Sequence, residues 1–291
     1  MVTIKPSYST KQINNALKKG GEFVFEAGEY TLTECLVLHS NTDVVCGEDV
    51  SFIRAHKGRM LQLHVTPDTK GYNGTHDVTW KKGKFFAGTR NENANVISLF
   101  HGKNIAFRSV VIVGCRGMHS IEVNACKSVI LSDCIIRDQT SKGEDAFREA
   151  IQIDFANYDG LKVKGSKPDS PCYDGTHCKD IHISKCYIRN CPNGIGTHTV
   201  SYNGKYHEDV QIVNCDIDTF ANDIQLYGFK DCEIQSSYGN ILIGKKKIAH
   251  LISGGKVDLI EPKGNKNISI AVVAQKAVSL DRKSGSAGMP R

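Results

Sequence analysis

The sequence has little proline and no long apolar segment. Only 7 of its 291 residues are proline and one is tryptophan. No run reaches the roughly 18 apolar residues that a membrane-spanning helix needs, so we predict no membrane insertion. The first 20 residues are polar and contain no apolar core, so we expect no cleaved secretory signal. With 40% hydrophobic and 23% charged residues, the composition is that of a folded chain.

The sequence also lacks a concentration of charge and a familiar metal motif. The formal net charge is +6, and its densest basic runs are short, at residues 81–84 and 245–247. A nucleic-acid-binding face usually concentrates its positive charge, so we predict no nucleic-acid partner. Eleven cysteines form no C-x-x-C pair, which excludes the common zinc patterns. We predict no metal site and interpret most cysteines as buried free thiols.

What the sequence does have is internal repetition. Four segments, 104–112, 128–136, 180–188 and 209–217, share one pattern in which apolar residues alternate with polar ones, as in strands buried on one face. The alternation slips by one residue in each segment, which predicts a bend between two strands. A small apolar residue follows the slip. In the last three segments it is a cysteine, and we call this set the thiol column: Cys134, Cys186 and Cys215.

A further apolar strand precedes each repeat line, starting near residues 96, 120, 150, 194 and 223. The spacing begins at 24 residues and grows where loops are inserted, at 139–148, 157–178 and 199–207. Repeats of this length with several short strands each predict a solenoid. We therefore predict an all-β chain folded as a right-handed parallel β-helix, with its thiol column stacked inside.

The opening of the chain, at residues 12–17, 21–30 and 36–41, resembles the start of pectate-lyase-superfamily β-helices, in which a short helix caps the solenoid. The later coils resemble those of polygalacturonases and bacteriophage tail depolymerases, and residues 148–154 with 194–198 resemble phage-type and Gram-positive cell-surface β-helix proteins. The resemblance implies an N-terminal cap at 1–20, a right-handed parallel β-helix at 21–275 and a flexible tail at 276–291. It also implies an extracellular or virion-associated protein, either monomer or homotrimer.

Because the interior of a solenoid is committed to packing, function is expected on outward side chains and inserted loops. Neighbouring coils lie about 4.8 Å apart, so the repeat alignment stacks the outward residues of the first sheet in columns. The columns are Ser98, Glu122, Gln152, Gly196 and Gln225; then Phe100, Asn124, Asp154, His198 and Tyr227; and, in the preceding turn, Asn95, His119, Glu149, Asn193 and Asn222. We predict an open groove lined by carboxylates, imidazoles and amides. His182 points outward on the second sheet, where we expect no function.

The catalytic candidates are Asp154, Glu122, Glu149 and His198. Glu122 and Asp154 lie one coil and two residues apart, which suits the general acid and base of an inverting glycosidase. His198 would hold Asp154 or shuttle a proton, and Glu149 with His119 forms a second candidate pair. The substrate-binding candidates are His119, Asn124, Gln152, Asp174, Tyr202, Asp223, Gln225 and Tyr227.

The predicted function is a glycoside hydrolase, without a cofactor, acting on a bacterial surface or extracellular polysaccharide. One alternative is a uronate lyase, which would use Ca²⁺ or another cation, although outward Arg and Lys are scarce on the first sheet. Another is a depolymerase of teichoic acid. The Asn-Thr-Asp and Asp-Asp signatures of polygalacturonases are missing, which leaves pectin unsupported as substrate. A non-catalytic, glycan-binding phage receptor-binding protein is the remaining alternative.

Overall fold

The computed structural model describes residues 1–88, 93–140, 148–158, 160–197, 205–226 and 228–235, and short strands within 241–272. The predicted tail at 276–291 and three site candidates, His198, Tyr202 and Tyr227, lie outside the described residues. Within the described part, no helix is long and apolar enough to cross a membrane. The division into cap, solenoid and tail stays a prediction.

The chain begins with a strand, Val2–Ile4, and a helix, Thr10–Leu17. Ser9 caps the helix: its hydroxyl oxygen accepts from the Gln12 amide at 3.3 Å, and the Gln12 side chain accepts from the Ser9 amide at 2.8 Å. This reciprocal pair satisfies two backbone donors that helix geometry leaves free. Ile13 and Leu17 are buried in the core. The helix therefore closes the first coil, as the predicted cap requires.

The rest of the described chain winds through three sheets, and each coil visits them in the same order. The first sheet contains Leu36–Leu38, Leu61–Leu63, Ile97–Phe100, Ile121–Asn124, Glu149–Asp154, Asn193–Gly196, Asn222–Leu226, Ile241–Ile243 and Lys246–Ile248. The second contains Val2–Ile4, Gly21–Phe25, Thr42–Cys46, His76–Lys81, Lys103–Arg108, Lys127–Ser132, Lys179–Ser184, His207–Val213, Phe229–Gln235, Lys266–Val272 and Gly255–Asp258. The third contains Gly28–Leu32, Val50–Arg54, Lys84–Phe86, Val111–Val113, Ile135–Arg137, Tyr187–Arg189 and Asp216–Asp218.

Pairing is parallel between successive coils, and only two described pairs near the C-terminal end are antiparallel. The protein is thus a right-handed parallel β-helix, as the repeats predict. The thiol column is buried, and none of the eleven cysteines, all of which lie among the described residues, forms a disulfide. Towards the N-terminal end the same interior is filled by stacked rings, among them Phe52, Trp80 and Phe85.

The one-residue slip in the repeat is a backbone bend. At each slip the residue between the second and third sheets adopts a left-handed conformation, with φ of 55° at Ser109, 55° at Asp133, 52° at Lys185 and 54° at Asn214. A single left-handed residue turns the chain sharply, and small polar residues tolerate this conformation better than branched ones. Because the bend takes one residue in each of these four coils, their strands in the second and third sheets keep the same register.

Candidate active site

The predicted outward columns of the first sheet are present. Ser98, Glu122 and Gln152 are direct partners on adjacent strands, and so are Phe100, Asn124 and Asp154. The prediction of an open groove is wrong, however. Glu122 is 1% exposed, Asp154 2% and Glu149 0%. The first sheet is therefore buried on both faces over these coils, one face by the solenoid interior and the other by covering segments.

Two segments outside the sheets, residues 65–74 and 160–176, pack together beside these columns, and we call them the inserted segments. They form a small second core with the end of the first sheet: Phe100, Ala125, Ala156, Leu161, Val163 and Cys172, with Val65 and Tyr173 half-buried against it. His101 joins the two segments, because its ring nitrogens lie 2.5 Å from the Gly71 carbonyl oxygen and 2.7 Å from that of Cys172. The second of these segments also approaches the carboxylate of Asp154, because a Cβ built on Gly160 would lie 3.5 Å from Asp154 Oδ2.

Glu122 is held by amides. Asn124 Nδ2 donates to its Oε1 at 3.1 Å, and the Asn95 amide nitrogen donates to its Oε2. Burial raises the pKa of Glu122 from 4.5 to about 7, and the nearby negative charge of Asp154 adds to this shift, whereas Arg59 and the amide of Asn124 oppose it. Desolvation has the largest effect on this pKa, because a carboxyl group removed from water is less stable in its charged form. Glu122 is thus a carboxylic acid that retains a proton near neutral pH.

Asp154 has a different environment. Its Oδ1 accepts from the backbone N–H of Phe155 at 2.7 Å, and its Oδ2 accepts from Gln152 Nε2 at 3.2 Å. N–H donors aimed at a carboxylate stabilise its negative charge. Both carboxyl groups are thus almost fully buried and accept from two N–H donors each, Glu122 from two side-chain amides and Asp154 from one side-chain amide and one backbone amide.

The second candidate pair is also in contact. His119 Nδ1 donates to the Glu149 carbonyl oxygen at 2.9 Å and lies 3.6 Å from its carboxylate Oε2. Ring and carboxylate are both fully buried, with relative exposures of 1% and 0%. The pair lies at the start of the first sheet's strands, away from the end that carries Asp154.

Asp174 and Asp223 are placed by the structure in local turns. Asp174 Oδ2 accepts from the Gly71 amide at 2.8 Å and so ties the two inserted segments together. Asp223 accepts from the amide and the hydroxyl of Thr219, at 2.9 and 2.8 Å, and closes a turn. Gln225 donates to the Thr197 carbonyl oxygen at 3.2 Å. These three side chains thus make hydrogen bonds within the protein, and their contacts with a substrate stay a prediction.

Arg59 is a site residue that the repeat alignment missed. It is half-buried, its guanidinium acts on the charge of Glu122, and Nη1 lies 3.5 Å from Gln62 Oε1. The strand that follows it, Leu61–Leu63, pairs in register with Ile97–Phe100, with Gln62 opposite Ser98. Extending the alignment one coil towards the N-terminus would have placed Gln62 in the Glu122 column. Among the described residues, no group of three or more His, Cys, Asp or Glu could hold a metal ion.

No protein-family model and no curated protein matches this chain. Among solved structures, the chain is similar to two of PfbA, a surface adhesin of Streptococcus pneumoniae. The first has a TM-score of 0.67 at 17% identity and covers 91% of this chain and 68% of PfbA. The second has a TM-score of 0.68 at 15% identity, with 95% and 81% covered. At these identities the similarity establishes the shared fold.

Proposed function

We propose that the protein is an extracellular or virion-associated β-helix that hydrolyses a polysaccharide, with Glu122 as general acid and Asp154 as general base. The observation that carries the proposal is a pair of buried carboxyl groups in adjacent columns of one sheet, of which Glu122 has a pKa raised to about 7. Asp154 accepts from two N–H donors, the Phe155 backbone and the Gln152 side chain. A pair of carboxyl groups of which one has a raised pKa is the usual acid and base of glycosidases.

In the proposed reaction Glu122 gives its proton to the glycosidic oxygen as the bond from that oxygen to the anomeric carbon breaks. Asp154 takes a proton from a water molecule, whose oxygen bonds to the anomeric carbon from the opposite side. The polymer is cleaved and one water is consumed. With a pKa of about 7, Glu122 is roughly half protonated at neutral pH, which suits a general acid working there.

Substrate access requires movement, since both carboxyl groups are almost fully buried. The inserted segment nearest Asp154, residues 160–176, is attached to the rest of the protein through the small second core and the His101 contacts. Displacing it would open Asp154 and Asn124 to a sugar chain. Its return would exclude bulk water, which strengthens electrostatic interactions at the reacting atoms.

The test is turnover on a panel of bacterial surface polysaccharides, with products read by mass spectrometry. Asp154→Asn and Glu122→Gln should each lose about 100-fold or more in turnover, the scale of general acid–base catalysis. Glu29→Gln, an exposed carboxylate on the third sheet, is the matched control and should retain activity. Products must carry the mass of one added water. Unsaturated products would instead identify a lyase, and phosphomonoester ends a teichoic-acid depolymerase. An Asp154→Asn variant with full activity would refute the assignment and move attention to Glu149 and His119.

A second candidate function is glycan binding without catalysis. The specific observation in its favour is the near-complete burial of Glu122 and Asp154, because buried side chains that satisfy one another stabilise a fold without touching substrate. The fold shared with a surface adhesin is consistent with it. This function predicts retention by a glycan with no products, and glycan affinity that Asp154→Asn leaves nearly unchanged.

A further inference from the structure

The second sheet carries an outward groove that the proposed chemistry does not use. It has a volume of about 580 Å³ and crosses six successive strands, from Gly21–Phe25 to Lys179–Ser184. Five strand spacings make it about 24 Å long, which is enough for several sugar units. Its floor is one outward column in register from coil to coil, with two carboxylates at one end followed by small, apolar or flat side chains: Glu22, Asp43, Thr79, Ala106, Ile130 and His182.

One edge of the groove presents a polar side chain in five of the six coils that it crosses. These residues share a left-handed backbone conformation, with φ between 55° and 59°: Asn41, Asp77, Asn104, Ser128 and Asp180. Two contacts link them along the solenoid. Asn104 Nδ2 donates to Asp77 Oδ1 at 2.8 Å, and the Ser128 hydroxyl donates to Asp180 Oδ2 at 2.8 Å. The edge is therefore a regular row of hydrogen-bonding groups beside the floor.

The charge of the lining restricts what can bind. It includes four carboxylates, from Glu22, Asp43, Asp77 and Asp180, and no lysine or arginine. Glu22 and Asp43 are direct neighbours on adjacent strands, where like charges repel. A polymer carrying uronate, sulfate or phosphate would add to this repulsion. A polymer of hydroxyl groups would donate to the carboxylates and amides and lay its apolar ring faces on Ala106 and Ile130, the latter 36% exposed.

We propose that this groove binds an uncharged polysaccharide chain running along the solenoid axis. The proposal rests on the proposed function, that the protein acts on glycans, and it narrows the substrate class to uncharged polymers, against the uronate and teichoic-acid alternatives. His182, for which the sequence predicts no function, lies at one end of the binding floor. The groove is on a different sheet from Glu122 and Asp154, so it would hold the polymer while the first sheet acts on another part of it.

The experiment is affinity electrophoresis of the full chain through native gels containing laminarin and dextran as uncharged probes, polygalacturonate as an anionic probe and chitosan as a cationic probe. Ala106→Arg places a long cation at the middle of the floor. Ser184→Arg makes the same change on the outward face of the same sheet, outside the groove, and is the matched control. Circular dichroism and thermal unfolding check that both variants fold.

We expect retardation by at least one uncharged probe, an apparent Kd raised tenfold or more by Ala106→Arg, and no change in Kd with Ser184→Arg. No retardation by either uncharged probe, or retardation that Ala106→Arg leaves intact, would overturn the proposal. So would binding only to chitosan that Glu22→Gln with Asp43→Asn abolishes, because the groove would then be a cation site. Hydrolysis that persists in the Ala106→Arg variant without retardation would refute the groove and leave the catalytic assignment standing. Retardation without any products would support the groove and refute the catalytic assignment.

Discussion

Glu122 should make the stability of the whole protein depend on pH. Its pKa rises from 4.5 to about 7 on folding, so between these values the folded chain holds a proton that the unfolded chain has released. Unfolding then loses a proton, and the free energy of unfolding falls as the pH rises. Below pH 4.5 both states are protonated, and above about pH 7 both are ionised, so the contribution changes only within this window.

The size of the effect follows from the two pKa values. Each pH unit across the window costs about 1.4 kcal/mol, so the wild-type protein should lose about 3 kcal/mol between pH 4.5 and 7 through this carboxyl. Glu122→Gln removes the titration and keeps the volume. The new amide can donate to Asn124 once that side chain rotates, because Asn124 Oδ1 has no hydrogen-bond partner within the described residues.

The assay is urea unfolding of the wild type, Glu122→Gln and the exposed control Glu29→Gln, at half-unit steps from pH 4.5 to 8. The difference in unfolding free energy between wild type and Glu122→Gln should change by about 3 kcal/mol across the window, moving in favour of the variant as the pH rises. The control should run parallel to the wild type. Parallel curves for Glu122→Gln as well would mean that Glu122 is solvated or already ionised, and the proposed general acid would lose its basis.

Two further predictions concern packing and the inserted segments. The thiol column should resist thiol reagents in the native protein and react after denaturation, and rapid labelling of the native column would contradict the coil register. Cys186→Asp should lower the free energy of unfolding by about 3–5 kcal/mol because it buries an unpaired charge, whereas Cys186→Ser should lower it less. His101→Phe keeps a ring of similar size and loses the contacts to Gly71 and Cys172, so hydrogen exchange should speed up at residues 65–74 and 160–176 and stay unchanged in the exposed control His76→Phe. Unaltered exchange in both segments would show that His101 does not fasten them.

Much of the fold was predictable because the repeats encode it locally. The phase slip at Asp133 and at Asn214 locates a left-handed bend, and the matching positions of Glu122 and Gln152 give the strand register without any long-range information. A solenoid repeats the same contacts from coil to coil, so aligning the sequence with itself is equivalent to pairing its strands.

The candidate site was predictable only in part, because its cover comes from non-repeating segments. Alignment places Asp154 and Asn124 in one outward column, but it carries no information about Gly160 passing near them or about His101 joining two loops far apart in sequence. Packing of that kind depends on irregular contacts between distant segments. The same lack of periodicity hid the role of Asp174, whose carboxylate accepts from the Gly71 amide and anchors a loop.

The single left-handed residue between the second and third sheets has a consequence for engineering and for divergence. In these four coils the corner has a constant length, whereas the coil of Thr42–Cys46 and Val50–Arg54 lacks the left-handed residue, has a three-residue corner and still keeps its strands in register. The long inserted segments of this chain flank the first sheet. Those corners should accept transplanted loops from other solenoids while the strand ladder stays intact. Surface loops and strand register are thereby set at different corners of the coil, and the loops can be exchanged without disturbing the register.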